Sequence, residues 1–167
     1  MIIRPAKPSD IEKIAELYIK NHNEAYKGLL PDTYFERLTL NYAKEKWNTY
    51  LDTVGRIIRV AYNEEDFLGF TAGMKDEELT DTWYLDSLHI TEKARGKGIG
   101  TALIKTMMKY AAENNYLKMS VCIVKGNDKA GNLYKRLGAE HFSYFDDDFC
   151  GTVSHSEKLL WNDLSSL

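Results

Sequence analysis

The periodicities of this chain predict an α/β (α+β) fold: a mixed, mostly antiparallel sheet of about six to seven strands flanked by about four helices. Three observations carry that expectation. Seven short apolar runs rich in β-branched and aromatic residues are interleaved with four longer segments whose apolar residues recur at helical spacing. Between Trp83 and Val124 a strand pattern, a glycine-rich loop, a helix pattern and a second strand pattern follow one another, which is the order of a right-handed βαβ unit. At 167 residues with 44% hydrophobic composition, the chain is long enough to close one core and shows no linker or internal repeat.

Taken in order, Met1 to Arg4 reads as a short strand, and Ser9 with Glu12 has capping-box spacing before a helix whose stripe is Ile11, Ile14, Ala15 and Tyr18. After the turn Lys27-Gly28-Leu29-Leu30-Pro31, one helix is expected from Asp32 to about Leu51, with Phe35, Leu38, Tyr42 and Trp47 on its apolar face. Arg56 to Tyr62 and Phe67 to Gly73 form a hairpin around Asn63-Glu64-Glu65-Asp66, and Trp83 to Ile90 is the next strand. If that strand is regular, Tyr84, Asp86, Leu88 and Ile90 share one face and Trp83, Leu85, Ser87 and His89 the other, with the parity expected to hold at least from Tyr84 to Leu88. A helix from Gly98 to about Asn114, a strand from Leu117 to Val124 and a short helix from Lys129 to Leu137, stopped by Gly138, follow. Two strands, near Ala139 to Tyr144 and Thr152 to Trp161, close the chain, leaving Asp146-Asp147-Asp148 in a turn.

The run Arg95-Gly96-Lys97-Gly98-Ile99-Gly100 sits between the strand and the long helix. Glycines permit positive φ, so successive backbone N–H groups can converge on one point, and the following helix adds its unpaired amides and positive dipole end. Such a loop is a cradle for a pyrophosphate. The dinucleotide fingerprint fails in both registers, because Thr101 and Leu103 stand where its last glycine is required, and the P-loop fails because Gly98 follows Gly96-Lys97. What fits is R-x-x-G-x-G, read at Arg95, Gly98 and Gly100. Together with Leu88-His89-Ile90 upstream and Asn127 to Gly138 (NDKAGNLYKRLG) downstream, this resembles the GNAT superfamily of acetyl-CoA-dependent N-acetyltransferases.

The resemblance implies a single domain over residues 1–167, acetyl-CoA as acetyl donor without a metal, and direct transfer in a ternary complex. Leu88, His89 and Ile90 would border the pantetheine arm, with main-chain groups of Leu88 and Ile90 pairing to it. Arg95, Gly96, Lys97, Gly98, Ile99, Gly100 and Thr101 would hold the phosphates. Asn127 is either a ligand of the arm or the N-cap of the short helix. Tyr134 occupies the position of a general acid that protonates the leaving thiolate, its alternative being a packed aromatic beside Leu133 and Leu137. Asp86 is the candidate base, directly or through a water ordered by Tyr84, and otherwise a strand carboxylate; His89 is the second choice of base. Acceptor walls would come from 21–34, including Tyr26 and Leu30, and from 142–155, with Tyr84 nearby; Glu157 and Trp161 belong either to that wall or to the core.

The acceptor itself, a small-molecule amine or a protein N-terminus or lysine, is left open, although Asp146-Asp147-Asp148 could attract a cation. An acyl-CoA sensor without turnover is the alternative function, and the family pattern also implies homodimerisation through the late strands. A net charge of -3 and a pI near 5.8 argue against a nucleic-acid partner. The apolar run at Met1 to Ile3 is too short for a signal peptide, and no stretch approaches a membrane span, so a cytoplasmic protein is expected. Cys122 and Cys150 have no metal-ligand or disulfide spacing; a Cys150–His155 pair would lack an oxyanion hole.

Overall fold

Alternation in the central strands decides which helices they bury. In β2 (Arg56–Asn63), Ile58 and Val60 pack with helices α1 (Ile11–Tyr26) and α3 (Leu40–Asp52), whereas Ile57 and Ala61 join the clusters around α4 (Ile99–Glu113). Helices therefore cover both faces of one seven-stranded sheet in the computed structural model, which describes residues 1–149 and 151–165. The remaining elements are β1 (Ile2–Pro5), α2 (Asp32–Arg37), β3 (Asp66–Lys75), β4 (Thr82–Ile90), β5 (Lys118–Val124), α5 (Asp128–Arg136), β6 (Glu140–Phe149) and β7 (Thr152–Trp161). Their spatial order is β1-β2-β3-β4-β5-β7-β6, with β4 and β5 parallel through α4 and the other neighbours antiparallel. Among the described residues no helix is long and apolar enough to cross a membrane.

Three expectations are corrected by local chemistry. The start of α1 is organised by Asp10 rather than by Ser9 and Glu12: its carboxylate accepts from the Lys7 amide at 2.7 Å, from the Arg4 guanidinium at 2.8 and 3.0 Å and from the Tyr62 hydroxyl at 2.8 Å. Glu12 instead lies 3.8 Å from Lys44. The helix expected from Asp32 to Leu51 is broken into α2 and α3, because Thr39 adopts an extended conformation and its hydroxyl accepts from the Tyr42 amide, capping a new helix. Finally, Asp146, Asp147 and Asp148 belong to β6, which runs to Phe149; the chain reverses around Gly151 (φ 84°), whose amide donates to Asp148.

A buried polar cluster joins the end of β3 to β5 and β7. Asp76 receives hydrogen bonds from the Glu78 and Leu79 amides, from Ser120 and from the Lys158 ammonium, 2.9 Å away, while Lys158 also reaches Glu78 at 3.0 Å. Burial pushes the Asp76 carboxyl up, but the bonds from Ser120, Lys158 and the two amides outweigh it and hold it below the ordinary carboxylate range. Lys158→Met is therefore expected to destabilise the fold by about 3 kcal/mol, since it strands a buried carboxylate. Urea unfolding measures it, and a loss below about 1 kcal/mol would mean the cluster is a rim interaction.

Candidate active site

The parallel pairing of β4 with β5 runs only from Thr82–Lys118 to Leu85–Val121, yet β4 continues to Ile90 and β5 to Val124. The two strands separate beyond that point, and a groove of about 610 Å³ opens between them. Its lining includes Tyr26, Tyr84, Asp86, Leu88, His89, Ile90, Arg95, Asn127 and Tyr134. On the β3 side, the Thr91 amide donates to the Leu68 carbonyl, so the alternation of an antiparallel ladder turns the main-chain groups of Leu88 and Ile90 away from β3, toward the groove. Asn21 Nδ2 already donates to the Ile90 carbonyl at 3.1 Å, leaving the Ile90 amide and both Leu88 groups to pair with a ligand.

A β-bulge shapes the floor. Ala72 pairs with Ser87 and Gly73 with Leu85, so Asp86 has no partner opposite it. The extra residue swaps faces inside the stretch where regular parity is expected. Trp83, Leu85, Leu88 and Ile90 consequently pack toward α4, while His89 stacks on Phe70 and His22 on the other side. Asp86 and Leu88 do not share a face; Asp86 and His89 both look toward α1 and α3.

Beyond Ile90 the chain enters the glycine loop. Gly96 (φ 74°) and Gly98 (φ 79°) hold left-handed conformations with nothing within 4 Å of where a side chain would start. Gly98 caps α4, and the Ala102 amide is the first to bond back, to the Gly98 carbonyl at 3.0 Å, so Ile99, Gly100 and Thr101 present amides with no intrahelical acceptor. Gly100 adjoins the groove: a Cβ there would stand 3.5 Å from Leu133, 3.7 Å from Ile90 and 3.9 Å from Leu88. Lys97 is exposed beside the loop, and the Ile99 side chain is buried in the core. The Arg95 side chain is committed elsewhere. It pairs with Glu24 at 2.8 Å and Asn21 at 3.0 Å, fastening the loop to α1.

Across the groove, α5 contributes Tyr134, whose ring packs edge-on against Trp161 with centroids 5.8 Å apart. Its hydroxyl makes no hydrogen bond among the described residues, and burial pushes its pKa upward, so the phenol stays protonated. Asn127 is the N-cap residue of α5, its carbonyl accepting from the Gly131 amide at 3.3 Å, but its side chain makes no capping hydrogen bond and lies against the Tyr26 phenol at the groove. On the α1–α3 side stand Tyr18, His22, Lys46 and Tyr84, with Cys122 next to Tyr84. Burial pushes the Cys122 thiol up to about 11, which makes it an inert thiol at neutral pH. His22 is pushed down to about 4 by burial and by Lys46, and burial lowers His89 as well, so both rings are neutral. Burial raises the Asp86 carboxyl above its ordinary range, although Lys46, the Tyr50 phenol and Arg56 pull it back in part.

The Acetyltransferase (GNAT) family model matches residues 13–139. The chain belongs to that family. GNAT enzymes move an acyl group from its CoA thioester to an amine, and this chain is accordingly an acyltransferase. It is 37% identical over 57 residues to the thialysine N-epsilon-acetyltransferase of Mus musculus, a match that spans 34% of each chain. It is 21% identical over 171 residues to the uncharacterized N-acetyltransferase YuaI of Bacillus subtilis (strain 168), covering 99% of this chain and 95% of the relative. The PaiA N-acetyltransferase of Thermoplasma acidophilum, solved in complex with coenzyme A, superposes with a TM-score of 0.73 at 19% identity over 93% of this chain and 96% of that one, which establishes the shared GNAT fold.

On this GNAT scaffold the structure gathers Tyr26, Tyr84, Asp86, Leu88, His89, Ile90, Arg95, Asn127 and Tyr134 around one groove. The loop from Gly96 to Thr101 adjoins it through Gly100. Leu30 is not part of it; it is buried in the turn after α1, its amide bonded to the Tyr26 carbonyl. Trp161 belongs to the core beside Tyr134, and Glu157 pairs with His141 and Lys135. Cys150 lies outside the described residues, and His155 pairs with Asp146. Sequence reading missed His22, Lys46 and Tyr50. A signal existed, since Tyr18, His22 and Tyr26 recur every four residues along α1 and Lys46 and Tyr50 along α3, each set marking one helix face.

Proposed function

We propose that this enzyme transfers an acetyl group from acetyl-CoA to a primary amine, directly and without a covalent enzyme intermediate. The observation that carries the reading is the juxtaposition of the opened β4–β5 seam with the glycine loop at the start of α4. The loop amides and the helix N-terminus suit a pyrophosphate, and the unpaired main-chain groups of Leu88 and Ile90 suit an extended amide-bearing arm laid along β4. Asn127 holds the arm from the α5 side. Holding donor and acceptor in one geometry accounts for much of the acceleration, on the order of 7–11 kcal/mol where alignment is good.

In the reaction, the amine nitrogen attacks the thioester carbonyl, the C–N bond forms, and the C–S bond breaks with the electron pair departing on sulfur. Asp86 accepts the proton shed by the amine, directly or through one water; its raised pKa makes it a better base than an exposed carboxylate. Tyr134 returns a proton to the thiolate. A small-molecule amine is the favoured acceptor class, and the relative named for thialysine supports it. Protein N-termini and lysines are the competing class.

Release of CoA thiol in the presence of amines tests the reading, with NAD as a negative control. Tyr134→Phe is expected to lower kcat about tenfold while leaving the KM for acetyl-CoA in place, a modest loss because a thiol of pKa about 8.5 is already a fair leaving group. An unchanged kcat would make Tyr134 a packing residue.

A further inference from the structure

The charges lining the groove are not distributed evenly. Arg95 is neutralised by Glu24, Lys129 stands at the start of α5 near Asn127, and Asp147 of β6 lines the groove on the side of Cys122. At the other end, where Asp86 and Tyr84 sit, the cation is Lys46 of α3. Its ammonium lies 5.7 Å from the Tyr18 ring centroid and 5.6 Å from that of Trp47, and it makes no ion pair or hydrogen bond among the described residues. The rings hold it in place without consuming its donors. Asp86 is beyond ion-pair distance, and the other titratable rings facing Lys46, His22 and His89, are neutral. Lys46, with Asp86 as its nearby counter-charge but no contact partner among the described residues, thus presents three N–H donors and a positive charge to the space an acceptor would enter.

That charge discriminates among amines. A diamine or polyamine, positive at both ends, would bring a second cation toward Lys46, and repulsion in a partly desolvated groove is costly. An acceptor with a carboxylate near its amine would pair that carboxylate with Lys46 and turn the nitrogen toward Asp86. Resting on the acetyltransferase reading above, we infer that the acceptor is an amine that also bears a carboxylate, an amino acid or a close analogue, and that Lys46 is the positioning residue that selects it.

Matched acceptors test this directly: L-lysine against cadaverine, and L-2,4-diaminobutyrate against 1,3-diaminopropane, each followed by CoA thiol release. The carboxylated member of each pair is expected to have a kcat/KM about 10- to 100-fold higher, as one charge-assisted pair would give. Lys46→Met should reverse the order, lowering kcat/KM for the amino acid through KM and raising it for the diamine, while Lys46→Arg should restore the preference. Diamines turned over as well as amino acids by the unmodified enzyme would overturn the inference and leave the acetyltransferase reading standing. So would an equal loss for both members in Lys46→Met with a shifted pH profile, which would make Lys46 only the counter-charge of Asp86. Failure to bind CoA, with no thiol release from any amine, would remove both.

Discussion

Gly100→Trp should abolish acetyl-CoA binding while leaving the chain folded. Position 100 faces Leu133, Ile90 and Leu88 across the end of the groove, and even a methyl group there would be in ordinary contact with them at 3.5 to 3.9 Å. An indole must project into the space between α4 and α5 that a phosphate and arm require. Blocking two charge-assisted bonds from the loop amides is a loss of about 3–6 kcal/mol, an affinity reduction of at least about 100-fold. Gly98→Trp should also block the cradle, with added backbone strain because φ is 79° there. Calorimetric titration with CoA gives the affinity and thermal unfolding the control. Wild-type affinity in a folded Gly100→Trp variant would place the cofactor elsewhere.

Asp86→Asn should lower kcat about 100-fold and change the shape of the pH profile. Burial raises the Asp86 pKa, so as pH falls through that value the carboxylate is protonated and can no longer accept the amine's proton. For the native enzyme, kcat/KM should decline on that acidic side, at a pH above the ordinary carboxylate range. The asparagine variant keeps the side-chain size but has no proton to gain, so that limb should vanish and the slope of log kcat/KM against pH should fall by about one there. A variant with a reduced rate and an unchanged acid limb would show that another group titrates. Tyr50, which faces Asp86 from α3, would then become the next residue to replace.

What could be read in the sequence was local. The glycines at 96, 98 and 100 announced an open cradle because positive φ is a property of residue type, and the structure gives 74° and 79° at the first two. The strand and helix order followed from periodicity, which depends only on neighbours in the chain. What could not be read was set by pairing across the sheet or between distant segments. The bulge at Asp86 exists because β3 presents Ala72 and Gly73 to three residues of β4, and that two-against-three count is invisible from β4 alone. Arg95 reads from its place in the loop as both an electrostatic and a structural residue, but that its partner is Glu24, 71 residues away, cannot be seen in the loop. The acids at 146–148 resembled a turn by composition; they are tolerated in a strand because, among the described residues, β6 is the edge strand of the sheet, paired with β7 on one side. Lys46 and His22 enter the site only because α1 and α3 pack together against the same face of the sheet.

Titrating acetyl-CoA and CoA into the full chain by calorimetry, and then adding amines to the loaded enzyme while following free thiol, tests the central claim most directly. The structure predicts saturable one-to-one binding of both, thiol release that depends on the amine, and loss of the heat of binding in Gly100→Trp. No binding of either ligand at millimolar concentration would contradict the assignment of the groove, and binding without thiol release from any amine, small molecule or protein, would contradict catalysis at this site.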